Sequence, residues 1–96
     1  MSNVIEKLGL KIIRNPPEEM LTELGVRQWT RWSCPPKSFH WIYGFKETCY
    51  ILEGKVKITI KNESVEIVAG DLVVFPKGMS CTWDILVAVD KHFSYA

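Results

Sequence analysis

Few side chains in this sequence could do chemistry. They are the carboxylate Glu47, the thiols Cys34, Cys49 and Cys81, the imidazoles His40 and His92, and the phenol Tyr43. A carboxylate near a phenol or an imidazole is enough to move a proton, with Glu47 as base and Tyr43 or His92 as acid. A thiol such as Cys81 is a nucleophile, a soft metal ligand or, if buried, a small inert hydrophobe. A mononuclear metal site takes three or four protein ligands of suitable type. Glu47, Cys81 and one of His40 or His92 supply three by type, but no His-x-His pair exists to pre-form the site. The expectation is therefore a protein without a stoichiometric transition metal or other cofactor. Trp41 and Trp83 offer flat faces for stacking, and Tyr43 a hydrogen bond to a ligand.

Strands must position these groups. Period-2 stretches punctuated by Gly, Asn and Pro read as short antiparallel strands. Residues 1–10 read as a weak helix or an arm, and Leu10–Ile13 as a first strand. Asn15-Pro16-Pro17-Glu18 has the form of a helix start with Asn15 as N-cap, and Gly25 follows Leu24 as its left-handed stop. Val26–Trp32 alternates, placing Arg27, Trp29 and Arg31 on one half-polar face. Ser33–Ser38, with Pro35 and Pro36 in tandem, reads as a loop. Strands follow at Phe39–Tyr43, Glu47–Leu52, Lys55–Ile60 (after a tight turn at Glu53-Gly54), Val65–Ile67 (after a hairpin loop at 61–64), Leu72–Phe75, Cys81–Val89 and Lys91–Tyr95. The expected fold class is all-β: a small antiparallel barrel or jelly roll with a short N-terminal helix. Along such strands Glu47, Cys49 and Ile51 share one face, as do Cys81, Trp83 and Ile85.

Ninety-six residues allow one domain, here 1–96, and a chain this small needs an efficient shape or a partner subunit. The half-polar Arg27/Trp29/Arg31 face makes a homodimer the expected assembly. Twelve basic and eleven acidic residues, with no basic block, point away from nucleic acid and anionic membranes. No apolar run reaches the length of a membrane span, and three widely spaced Cys fit free thiols in a reducing compartment better than a disulfide framework. The chain reads as cytoplasmic. Four Trp exceed what so small a core needs, so some are expected at a pocket or interface.

Glu47 and Gly54 keep the Glu-to-Gly spacing of the first cupin motif, and Gly70, Pro76 and Gly78 that of the second. Where cupins carry histidines, this chain has Trp41 and Tyr43, or His40 and Ile42 in the alternative alignment. Cys81 stands at the second motif's histidine and Ile85 at its Asn. The fuller pattern is Phe39-x-Trp41-x-Tyr43, Glu47 through Val56, Gly70-Asp71-Leu72-Val73, Phe75-Pro76-x-Gly78, Cys81-x-Trp83 and Lys91-His92. It resembles the small single-domain cupins of the ureidoglycine-aminohydrolase-like branch over residues 26–95, with the motif core at 39–85.

The resemblance implies that the Glu47 and Cys81 faces point into the barrel. Glu47 then sits among apolar neighbours and needs a cation or donor beside it to stay ionised. The aminohydrolase holds manganese with a His/Glu/Gln set, of which only Glu47 is visible here, so that activity does not carry over. The resulting candidates are Glu47, Tyr43, Cys81 and His92 for catalysis, and Trp41, Tyr43, Glu47, Cys81 and Trp83 for ligand binding. The leading expectation is a cupin with a degenerate metal site that binds a small polar or aromatic molecule in its barrel. The alternatives are an enzyme (a metal-free isomerase, epimerase or cyclase using Glu47, or a divergent metal-dependent aminohydrolase) and a purely structural dimer module.

Overall fold

The computed structural model describes residues 3–95. Its eight strands are β1 (Asn3–Lys7), β2 (Leu10–Arg14), β3 (Thr30–Cys34), β4 (Ser38–Ile42), β5 (Glu47–Ile60), β6 (Glu63–Val68), β7 (Asp71–Phe75) and β8 (Ser80–Ser94), with one helix, α1 (Glu18–Leu24). All pairings are antiparallel, and the architecture is the expected all-β jelly roll with a short helix near the N-terminus.

The two long strands β5 and β8 belong to both halves of the sheet. The first half of β5 pairs with β7 and its second half with β6, while β8 pairs along both. On its other side β8 takes β4 against residues 80–84 and β3 against residues 89–93. The sheet must bend where these halves meet, and β5 shows how. Glu47, Cys49 and Ile51 are buried at odd positions, but beyond the bend the buried residues are Val56 and Ile58, at even ones. Strict alternation cannot change parity, so an irregularity is required. The β5–β8 register shifts between Ile51 and Val56 provide it. Gly54 lies there at φ +104°, and a Cβ on it would meet the carbonyl oxygens of Ala88 and Val87. The Glu53-Gly54 pair is therefore a bulge inside one strand, not a turn between two.

Other expectations shift for local reasons. The stretch read as a weak helix or arm forms β1, turned into β2 by Leu8 and Gly9 at positive φ (+56° and +88°), the geometry two-residue hairpins use; its first two residues lie outside the described ones. Helix α1 starts later than expected: its N-cap is Pro17 without a side-chain bond, while Asn15 instead donates its backbone N–H to Gly70 O. The Gly25 stop holds, its N–H returning to Leu21 and Thr22. Val26–Gln28 is a 3₁₀ turn, so the expected Arg27/Trp29/Arg31 face does not exist as a strand face. Its charges are spent locally, Arg27 on Glu18 and Arg31 on Asp90, each at 2.6 Å. The proline loop shrinks to 35–37 between β3 and β4, and the turn before β6 to Lys61-Asn62.

One core, from Leu10 and Ile12 through Cys49, Ile51, Val56, Ile58, Phe75 and Trp83 to Val89, fills the space between the halves. A smaller cluster of Ile13, Leu21, Val26 and Leu72 seats the helix on the outside. None of the helices described is long and apolar enough to cross a membrane.

Candidate functional site

Strand β8 is the axis of the site. It runs unbroken through Asp90, so residues 81, 83, 85, 89, 91 and 93 all keep the inward parity. This places Lys91 inside and turns its neighbour His92 to the other side, where the ring Nδ1 lies 3.1 Å from Trp29 O. Lys91 pairs with Ile51 in the ladder, four residues along β5 from Glu47. Its extended chain covers that distance along the interior, and Nζ donates to Glu47 Oε2 at 3.0 Å. Both side chains are almost fully buried, at 8% and 6% exposure. The Lys91 ammonium also lies 4.7 Å from the centroid of Trp83, 5.2 Å from that of Trp32 and 5.3 Å from that of Phe93, distances at which ring quadrupoles attract a cation.

This ion pair forms part of the wall of a cavity of about 240 Å³ that opens at the barrel mouth. The remaining wall is aromatic: Trp32, Phe39, Trp41, Tyr43, Trp83, Phe93 and Tyr95. Phe39 stacks on Trp83 at 6.0 Å and 13°, and Trp32 meets the same indole edge-on at 6.3 Å. Behind them Phe75 stacks on Tyr43 at 4.6 Å. Trp83 Nε1 donates to Tyr43 Oη at 3.1 Å. Burial, then the Glu47 charge, pushes the Tyr43 phenol far above its usual range, so it stays protonated. Having accepted from the indole, its hydroxyl keeps a proton to give.

Of the residues singled out from sequence, Glu47, Tyr43, Trp41 and Trp83 meet at this cavity, Trp41 as a half-exposed rim. Two do not join them. Cys81 is buried behind the wall and does not line the space. Burial raises its thiol to about 11, and that of Cys49 likewise to about 11, so at neutral pH almost none of either is the nucleophilic thiolate. His92 is on the wrong face. Iodoacetamide at pH 7 is accordingly expected to add one group, at the half-buried Cys34, and three only in denaturant, as counted by intact mass. Labelling of Cys81 at the rate of Cys34 would contradict the burial.

Lys91 is the cavity residue the sequence reading missed. The signal was available: position 91 has the parity of Trp83 once 80–94 is read as one strand. The family pattern singles out His92 instead, and the break read at Asp90 keeps the parity of Trp83 from being carried on to Lys91.

The donors that could hold the manganese of the aminohydrolase branch do not come together. Among the described residues no group of three His, Cys, Asp or Glu side chains is placed to bind a metal ion. His40 points outward, its Nε2 2.7 Å from Ser80 Oγ. Glu47, the remaining acid, already has a cation in Lys91. The set does not fit a metal.

A jelly roll with a mouth cavity between long bent strands, and with its motif carboxylate turned inward, is a cupin. More narrowly, the chain belongs to the family of EutQ-like cupin domains, whose model matches residues 21–93. It is similar to a DUF861-family protein from Thermotoga maritima, with 44% identity, a TM-score of 0.87, and coverage of 91% of this chain and 99% of that one. It also shares its fold with the Clostridium difficile EutQ protein (16% identity, TM-score 0.61), covering 96% of this chain but 58% of that one. A cupin superfamily protein from Desulfitobacterium hafniense is a further fold relative (14% identity, TM-score 0.57), with coverage of 97% of this chain and 72% of that one. No protein of curated function matches the sequence.

Proposed function

We propose that this cupin binds a small polar ring compound in its barrel mouth without the help of a metal ion. The observation that carries this reading is the Lys91–Glu47 pair set into the wall of an aromatic cavity. Binding sites combine largely apolar walls with a few placed polar groups, and this one offers stacking faces with a donor and an acceptor side by side. At about 240 Å³ it is smaller than the roughly 300–1,000 Å³ of drug-sized pockets, which favours a single ring or a compact bicycle. The fold relatives leave the ligand open.

The test is a thermal-shift screen of small ring compounds and sugars on the wild type. A true ligand at a hundred times its Kd adds about 2.7 kcal/mol to the folded state, an upward shift on the order of ten to twenty degrees in a domain this size. Trp83→Ala is expected to abolish the shift and Glu47→Gln to reduce it, each measured against that variant's own unliganded Tm. If both variants shift as far as the wild type, the cavity is not the site.

A further inference from the structure

We propose that the edge this cavity recognises is a cis-amide on a flat, uncharged ring, that is, a ring N–H adjacent to a ring carbonyl, as in lactams, cyclic imides and cyclic ureas. The inference rests on the cavity being a binding site and names the class of molecule it takes.

Charge comes first. Lys91 and Glu47 sit 3.0 Å apart in the same wall, so together they carry no net charge and act on a ligand as a dipole, whose field falls off faster than that of either ion alone. A carboxylate ligand reaching for Lys91 meets the Glu47 oxygens at once, and a cationic ligand reaching for Glu47 meets the ammonium. Each charged ligand also gives up its hydration to enter an aromatic cavity. A neutral molecule avoids both costs.

Hydrogen-bond valence then sets the pattern. Of the three N–H groups on Lys91, one goes to Glu47 Oε2, and among the described residues no other acceptor receives from it. Glu47 Oε1 accepts no bond from the described residues, yet none of their buried side-chain nitrogens or oxygens lacks a partner, so this oxygen is open to the cavity. Tyr43 retains its proton. The wall therefore offers one strong acceptor, Glu47 Oε1, beside strong donors, Lys91 Nζ and Tyr43 Oη. Its complement is a donor next to an acceptor. A cis-amide edge places both on one rigid plane, so no rotamer has to be frozen on binding. The stacked Phe39 and Trp83 faces and the edge-on Trp32 suit that plane. A protonated amine satisfies only the acceptor half of the pattern, and a hydroxyl meets both halves from one rotatable atom rather than from a rigid edge.

The experiment compares probes matched in size on the wild-type protein: 2-pyridone, 1-methyl-2-pyridone (amide N–H blocked) and benzoate (one ring, anionic). Binding is read from perturbation of the tryptophan indole N–H signals in NMR titrations up to millimolar ligand. The expected result is saturable binding of 2-pyridone that moves the Trp83 signal. Losing one charge-assisted hydrogen bond is expected to weaken 1-methyl-2-pyridone by about ten- to hundredfold, and benzoate is expected to bind no better. Glu47→Gln, which exchanges the open carboxylate for an amide, is expected to narrow the preference for 2-pyridone over its methylated form. The probe comparison decides on wild-type protein even if that variant folds poorly. Equal binding of the two pyridones, or tighter binding of benzoate, would overturn the amide-edge assignment while leaving the cavity as a binding site. No perturbation of the cavity tryptophans by any of the three would overturn both readings.

Discussion

Lys91→Met alone is expected to lower folding stability by about 3–5 kcal/mol, and the double variant Lys91→Met/Glu47→Leu to recover most of that loss. The asymmetry follows from what each variant leaves behind. In the wild type both charges are nearly excluded from water, and each offsets the desolvation of the other. Removing only the ammonium strands a nearly buried carboxylate that has lost its one hydrogen bond from a described residue. Removing both leaves a cavity with no charge in its wall, and its filled volume is close to the original because methionine follows the lysine stem. Urea unfolding of the four members of the cycle measures this directly: the midpoint should fall steeply for each single variant at nearly constant m, and return in the double. Single losses below about 1 kcal/mol with no coupling would mean that water reaches the pair freely and that it behaves as a surface ion pair. The expected return of stability in the double variant carries a functional corollary. If an apolar replacement folds as well as the ion pair, the pair is kept for what it does in the cavity.

The elements of this site were visible in the sequence to different degrees. Glu47, Trp83 and the motif glycines stood out because their spacing belongs to a fold whose strands alternate, and alternation tells which side chains share a face. That logic fails wherever the strand is irregular. β5 changes parity at its bulge, and nothing local in Glu53-Gly54-Lys55 distinguishes a bulge from a turn, since glycine at positive φ serves both. The same ambiguity, with the opposite error, split β8 at Asp90, whose charge reads as a break but is neutralised at the sheet surface by Arg31, with a further hydrogen bond from Ser33. That break hid Lys91. Cys81 shows a second limit: parity says a residue faces inward, but not whether it reaches the cavity or the packed layer behind it. The thiol is buried in the core and does not line the cavity, and only three-dimensional packing decides that. Likewise Arg27, Trp29 and Arg31 alternate as a strand would, yet Gly25 in the left-handed region feeds a 3₁₀ turn, and the alternation there is incidental.

Gly54→Ala is expected to be the most damaging single-methyl change in the chain, abolishing cooperative folding or costing more than about 4 kcal/mol. Its backbone, at φ +104°, is in a region that L side chains rarely adopt, and strain alone costs about 1–3 kcal/mol. Steric contact adds the rest. The new Cβ would lie against Ala88 O, 2.8 Å from Val87 O and 2.8 Å from Val89 Cα, all main-chain atoms of β8 that cannot rotate aside. Gly44→Ala is the matched control, because its Cβ meets nothing within 4 Å; a change within about 0.5 kcal/mol is expected there. Circular dichroism melts of the two variants test the contrast, and a Gly54→Ala melt within a few degrees of the wild type would show that the crossing can open. The consequence reaches the cavity. Relief of the clash requires β5 to move away from β8 at the point where its parity switches, between the half carrying Glu47 and the half carrying Val56 and Ile58. Any such shift pulls Glu47 and Lys91 out of register, since each comes from one of the two strands. A Gly54→Ala protein that still folds should therefore lose the stabilising ion pair and ring-compound binding together, and a partial separation of the two losses would place the binding site elsewhere than between these strands.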